Sequence, residues 1–299
     1  MKKFVRSSTL ARLKKLNAEL KRAAQDPEDQ KAIHDLRVAI RRFTQCLRSF
    51  GQFFDSSRIK RIRRRLRKVM DRCGAVRNCD IALELLLTAN LQDPEISAAL
   101  ENERRREKKK LTAKLHAWQK DDVTNGWRRH LRPANQETGV WDLKQTTAEN
   151  AHRVLPVLAK QLVAAGETAA AGSSHRMLHR FRLQVKRFRY TLEVFAPVYQ
   201  DPIERAMTIL QGLQDQLGAI NDCATTLEMV KENREAVTAV HKLLKYREAA
   251  FRETWKQVAG ELAACFGGKQ SGTLHSKARR SAAAGNRAGG RKQEADRER

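Results

Sequence analysis

A histidine followed by basic residues at the third, seventh and eighth positions after it occurs twice in this chain. The first copy, HDLRVAIRRF, places His34, Arg37, Arg41 and Arg42; the second, HRFRLQVKRF, places His179, Arg182, Lys186 and Arg187, 145 positions on. Fixed cations at that spacing suit phosphate chemistry, because a guanidinium grips phosphate oxygens as a bidentate fork and an ammonium acts as a point charge. A helix turns ~100° per residue, so Leu36, Ile40, Phe43, Leu47 and Phe50 share one side while His34, Arg37, Arg41, Gln45 and Arg48 share the other. The second copy sets Phe181, Val185, Phe188, Leu192 and Phe195 against His179, Arg182, Lys186, Tyr190 and Glu193. The apolar sides read as core. On the polar sides, like charges one turn apart cost about a few tenths of a kcal/mol. Neither Arg37–Arg41 nor Arg182–Lys186 has an acid three or four residues away before Glu193. A bound anion supplies the missing countercharge, and a local rule broken twice marks a function.

A third segment, Arg58 to Arg72, holds nine Lys/Arg and one Asp, yet Ile59, Ile62, Leu66, Val69 and Cys73 keep helical spacing. Arg64 and Lys68 are expected to project farthest from that seam, with Arg61, Arg65 and Arg72 beside them. The counterpart around residues 204–217 carries Gln211, Gln214 and Gln216 instead, so a binding surface is expected to lean toward the first half. A solvated basic face is the plainer alternative for this segment. For His34 and His179 two readings stand side by side: phosphate contact through a ring N–H, or a hydrogen bond to a neighbouring helix.

Lys and Arg number 60 against 34 Asp and Glu, a formal charge of +26. That excess repels itself in a folded state and calls for a polyanionic partner: nucleic acid, an acidic membrane or polyphosphate. The 41% hydrophobic content is too high for a wholly disordered chain, and the abundant helix formers favour an all-α fold. No apolar run reaches the length of a membrane span, and the N-terminal segment lacks the apolar stretch of a signal peptide. Cys46, Cys73, Cys79, Cys223 and Cys265 have no paired spacing, which argues against a disulfide framework and for reduced thiols in a cytoplasmic protein.

Periodicity and breakers predict helices over 7–24, 30–50, 57–72, 79–89 and 95–120 in one half (5–120). A linker over 121–145 carries turn signals at Asn125-Gly126, Pro133 and Gly139. In the second half (146–265), helices are expected over 147–165, 177–196, 202–217, 222–231 and 234–264. Gly74, Gly166 and Gly218 are read as ending helices. Residues 266–299 lack apolar periodicity and are read as a disordered basic tail. The block Gly74-Ala75-Val76-Arg77-Asn78-Cys79 returns as Gly218-Ala219-Ile220-Asn221-Asp222-Cys223, near the same offset as the first phrase. Two blocks at one spacing indicate a tandem duplication, two helical bundles related by a pseudo-twofold.

The paired histidine–arginine helices, each followed by a glycine-containing block, resemble the CHAD family, the conserved histidine α-helical domain, over about residues 5–265, so that residues 1–265 are expected to form one such domain. The resemblance implies an all-α fold of two tandem pseudosymmetric four-helix bundles around a basic cleft or pore. It also implies binding of inorganic polyphosphate and association with polyphosphate granules. By position it implicates His34, Arg37, Arg41 and Arg42, with His179, Arg182, Lys186 and Arg187, and it matches Arg77 and Asp80. Asn78 and Asn221 depart from the family's pattern. Together with the charge pattern this gives a candidate polyphosphate-binding set. To the residues already named it adds Arg48, Arg61, Arg64, Arg65, Lys68, Arg72 and Arg189. No catalytic residue, cofactor or metal is expected. Scattered tryptophans (Trp118, Trp127, Trp141, Trp255) give no stacking platform for single-stranded nucleic acid, so nucleic-acid binding is expected to be weak. Two alternatives stay open. One is a nucleoid protein driven by the tail and by residues 58–72. The other is a polyphosphate or triphosphate hydrolase using Asp71, Asp80, Asp215 and Asp222.

Overall fold

Side-chain caps start several of the helices where the sequence supplies an acceptor. The computed structural model describes residues 1–133, 140–172, 174–198 and 202–267. Helix α1 (Lys2–Gln25) stops before Asp26-Pro27. Asp29 accepts from the Lys31 amide at 2.7 Å and opens α2 (Gln30–Ser49). Asp55 accepts from the Arg58 amide at 3.0 Å and opens α3 (Ser56–Thr88). Asp93 caps α4 (Pro94–Lys120), whose first residue is a proline that needs no donor. After the short α5 (Val123–Arg128), a reciprocal Thr146–Glu149 capping box starts α6 (Thr147–Ala171). Each such cap is worth about 1 kcal/mol. Helices α7 (His175–Phe195), α8 (Pro202–Met229) and α9 (Arg234–Gly267) complete the order. Among the described residues there is no strand, as an all-α class requires.

In the first half α1 packs on α2 and α4, and α3 packs on α2 and α4. In the second half α7 lies between α6 and α8. Helix α9 seats Phe251, Trp255 and Phe266 against Phe181 and Phe188 of α7. The halves meet where α2 packs on α7 and α3 on α8. An aromatic cluster locks that seam: Phe195 of α7 lies 5.8 Å from Phe50, 5.6 Å from Phe4 and 4.9 Å from Trp141. Aromatic pairs at such spacing add about 0.5–1.5 kcal/mol each beyond the area they bury. The seam is therefore a rigid frame for whatever the polar faces of α2 and α7 carry.

Three glycines read as helix ends lie inside helices. Both α3 and α8 run straight through Gly74 and Gly218. The apolar seam continues across them as Val69, Cys73 and Val76, and as Leu213, Leu217 and Ile220. One glycine costs a helix only about 1 kcal/mol, less than this burial returns. Gly166 is a notch instead: a Cβ there would stand 2.2 Å from the Trp255 ring, so the missing side chain lets α9 approach α6. The described parts of the 121–145 segment are likewise more than a linker, and Gly139 lies outside the described residues. Trp127 stacks on Phe43 at 6.3 Å and meets Trp118 edge-on at 5.5 Å, and Trp141 is buried in the seam. Helix α9 runs two residues into the expected tail, to Gly267, with Phe266 buried on it; residues 268–299 lie outside the described residues.

Candidate anion-binding site

The two repeated basic faces confront each other. Arg41 of α2 donates through Nε to the Tyr190 hydroxyl of α7 at 2.9 Å, and Gln45 Nε2 donates to Thr191 Oγ1 at 3.0 Å. With α3 as a further wall they enclose a groove of two lobes that share Arg41. One lobe, about 570 Å³, is lined by His34, Arg37, Arg41, Arg77, Arg182 and Asp222 among others. The other, about 540 Å³, is lined by Arg41, Arg48, Lys60, Arg63, Arg64, Arg67, Lys186 and Arg187, with Asp71 its one acid.

Most of these cations form no ion pair among the described residues. Among the described residues no ion pair involves Arg37, Arg41, Arg48, Arg63, Arg64, Arg67, Arg77, Arg182, Lys186 or Arg187. Burial, reinforced by neighbouring cations, pushes Arg37, Arg63 and Arg182 below the ordinary arginine value and Arg48 to about 10, where it is still charged. Lys186 is pushed furthest, to about 7, by burial and then by Arg182 and Arg41. Asp222 faces Arg182, Arg77, Lys186 and Arg247, yet burial still raises its carboxyl above the usual range. The buried Nε atoms of Arg63 and Arg182 have no hydrogen-bond partner among the described residues. Unpaired buried donors and charges are costly, and an anion in the groove relieves that cost at several residues together.

Other sequence-selected residues lie elsewhere. Arg42 pairs with Glu193 at 2.7 Å, and Arg189 pairs with the same carboxylate at 3.2 Å. Arg72 pairs with Glu107 of α4 at 2.9 Å. Arg65 lies over the Trp118 ring at 5.9 Å. Arg61 and Lys68 are exposed and line neither lobe. The reason is that α3 packs on α2, α4 and α8 at once, so distance from one apolar seam does not identify the groove-facing side. That side carries Lys60, Arg63, Arg64 and Arg67, of which only Arg64 was selected. Their three-, four- and seven-residue spacing was the available signal. The two histidines are placed differently. His34 is exposed at the rim of the first lobe, whereas His179 Nδ1 bonds Asn221 Oδ1 of α8 at 2.7 Å. Asn221, a departure from the family pattern, is thus a helix-to-helix contact.

Of the carboxylates weighed for hydrolysis, Asp80 and Asp222 line the first lobe together, with Asp80 tied to Arg104 at 2.5 Å. Asp71 lines the other lobe, and Asp215 accepts from Gln211 at 2.9 Å on an exposed surface. Among the described residues no group of three or more His, Cys, Asp or Glu is arranged to hold a metal ion. All five cysteines are free thiols, and no described helix is long and apolar enough to cross a membrane.

The CHAD domain model matches residues 9–231. The fold is similar to the crystal structure of the CHAD domain from the plant Ricinus communis, with TM-score 0.61, 17% identity, and 91% of this chain and 92% of that one covered. It is also similar to PptA from Streptomyces chartreusis, with TM-score 0.64, 14% identity, and 87% of this chain and 99% of that one covered. No curated protein matches the chain.

Proposed function

The chain belongs to the CHAD domain family, and from that premise we propose that it is a non-catalytic binder of inorganic polyphosphate. The observation that carries the reading is the meeting of α2 and α7 over a cluster of cations that form no ion pair among the described residues and greatly outnumber the one buried carboxylate beside them, Asp222. Inorganic polyphosphate is a flexible polyanion with no bases. It asks only for cations held at fixed positions along a groove, and guanidinium forks suit its oxygens. The four tryptophans are each buried, so none of them offers the stacking platform that single-stranded nucleic acid uses. Counterion release makes affinity fall steeply with salt. Residence on polyphosphate granules follows as part of the same reading.

The test is competition between long-chain polyphosphate and duplex DNA at equal ionic strength. Polyphosphate is expected to win. Replacing Arg37, Arg41, Arg182 and Lys186 together by Ala is expected to flatten the salt dependence and remove most of the affinity. Deleting residues 268–299 is expected to change affinity little. DNA binding equal to or tighter than polyphosphate binding, unaffected by the fourfold substitution, defeats the proposal. Release of phosphate with magnesium or manganese defeats its non-catalytic part.

A further inference from the structure

The groove opens into a third pocket that an inorganic chain does not need. Its volume is about 570 Å³, within the range of small-molecule sites. Arg48, Arg63 and Arg187 belong to both this pocket and the Lys186 lobe, so the two spaces join through three guanidinium groups. The far wall is apolar, made by Trp141, Leu158, Leu162 and Phe188. Gln161 and Gln184 also line this pocket, both exposed, and neither makes a hydrogen bond among the described residues. The buried Nε of Arg63 also has no hydrogen-bond partner among the described residues.

These features divide one ligand into two chemistries. Three guanidiniums without carboxylates call for phosphate; an apolar wall with free amides calls for a flat organic group with polar edges. An alkyl chain satisfies the wall but leaves the amides idle, and a bare phosphate chain leaves both wall and amides idle. A glutamine amide pairs in two places with the edge of adenine. We infer that this pocket is a nucleoside subsite: the protein takes an adenine nucleoside triphosphate, with its phosphates on Arg48, Arg63 and Arg187 and its base between Leu158 and the Gln161 and Gln184 amides. The inference rests on the phosphate-groove reading for the triphosphate half and adds to it a ligand with an organic end.

The experiment compares ATP with inorganic tripolyphosphate, by calorimetry on the full chain at one pH and ionic strength. ATP is expected to bind at least about tenfold more tightly, a difference of roughly 1.4 kcal/mol. Replacing Gln161 and Gln184 together by Ala touches two exposed side chains and leaves the fold intact. It is expected to erase most of the ATP advantage while tripolyphosphate binding stays unchanged. Leu158→Trp, which fills the apolar half, is expected to do the same. Tripolyphosphate binding as tightly as ATP overturns the subsite and leaves the groove reading standing. An ATP advantage that survives both variants overturns the location and with it the inference. Binding of neither ATP nor tripolyphosphate overturns it too, and long-chain polyphosphate in the same cell then shows whether the groove reading has also failed.

Discussion

Lys186 makes the groove's charge titrate near neutrality. Its ammonium sits at about 7 because burial, then Arg182 and Arg41, oppose it, while Asp222 pulls the other way and Arg37 adds to the repulsion. A phosphate chain beside it supplies the absent countercharge and draws the amine back toward its ordinary 10.5. Binding then takes up a proton, and affinity falls as pH rises. For a bound value between about 9 and the ordinary one, linkage gives uptake of about 0.8–0.9 proton at pH ~8 and a loss of affinity of roughly 25- to 50-fold between pH ~7 and ~9. Arg48 at about 10 and Cys73, pushed by burial up to about 11, lie beyond that window.

The assay is calorimetric titration with polyphosphate of one length, at constant ionic strength, in buffers of differing ionisation enthalpy. Lys186→Met removes the titrating group and is expected to flatten the profile while weakening binding at pH ~7. Proton uptake below about 0.2, or a wild-type change of less than about threefold across the window, refutes the reasoning. So does an unchanged pH dependence in Lys186→Met. The free protein carries the opposite sign. Between about 7 and 10.5 the unfolded chain keeps a proton that folded Lys186 has released, so folded stability rises with pH across that window. Urea midpoints for the wild type and Lys186→Met are expected to differ more at the acid end of this window than at the alkaline end.

Gly166→Ala is expected to push Trp255 from its seat and cost about 1–3 kcal/mol in urea unfolding. Gly74→Ala and Gly218→Ala, with open space where the methyl goes, are each expected to raise stability by about 0.5–1 kcal/mol, because the glycines lie inside continuous helices. Loss of stability in either would mean that α3 or α8 breaks there. Glu193→Gln frees Arg42 and Arg189 together. It is expected to lower the thermal midpoint without ligand and to steepen the salt dependence of polyphosphate binding.

The basic faces of α2 and α7 were legible because they depend on local facts: a helical period, a repeated phrase and acids absent one turn away. What was not legible depends on partners far along the chain. Nothing near Arg42 announces that Glu193 neutralises it, and Glu193 follows the second phrase, outside the pattern that singled out Arg42. Arg72 is claimed by Glu107, which lies in a run of α4 that reads as a solvated charged face. The rotation of α3 was misjudged because a helix with neighbours on three sides has no single outward direction. The glycines misled for a related reason, since a glycine ends an isolated amphipathic helix more readily than one clamped between buried seams.

The repeated histidine–arginine phrase explains why a cation-rich groove can exist at this seam, and the differences between its two occurrences explain the groove's direction. Packing two helices that carry unpaired arginines against each other brings like charges face to face, which is tolerable only where water or an anion reaches them. The two helices and their neighbours are not equal. Arg48 lines the groove in the first, while its counterpart Glu193 draws Arg42 and Arg189 into ion pairs. Arg77 lines the first lobe, while its counterpart Asn221 bonds His179. The arginine face of α3 faces the groove, while the glutamines of α8 bond Arg189, Thr254 and Asp215. One half therefore supplies most of the free charge and the other supplies α7 and internal compensation. A chain of phosphates crossing the seam meets a steeper potential toward α3 than toward α8. Neutralising Lys60, Arg63 and Arg67 should accordingly cost more affinity than any equal number of substitutions on α8, a comparison that salt-series titration of the two variants decides.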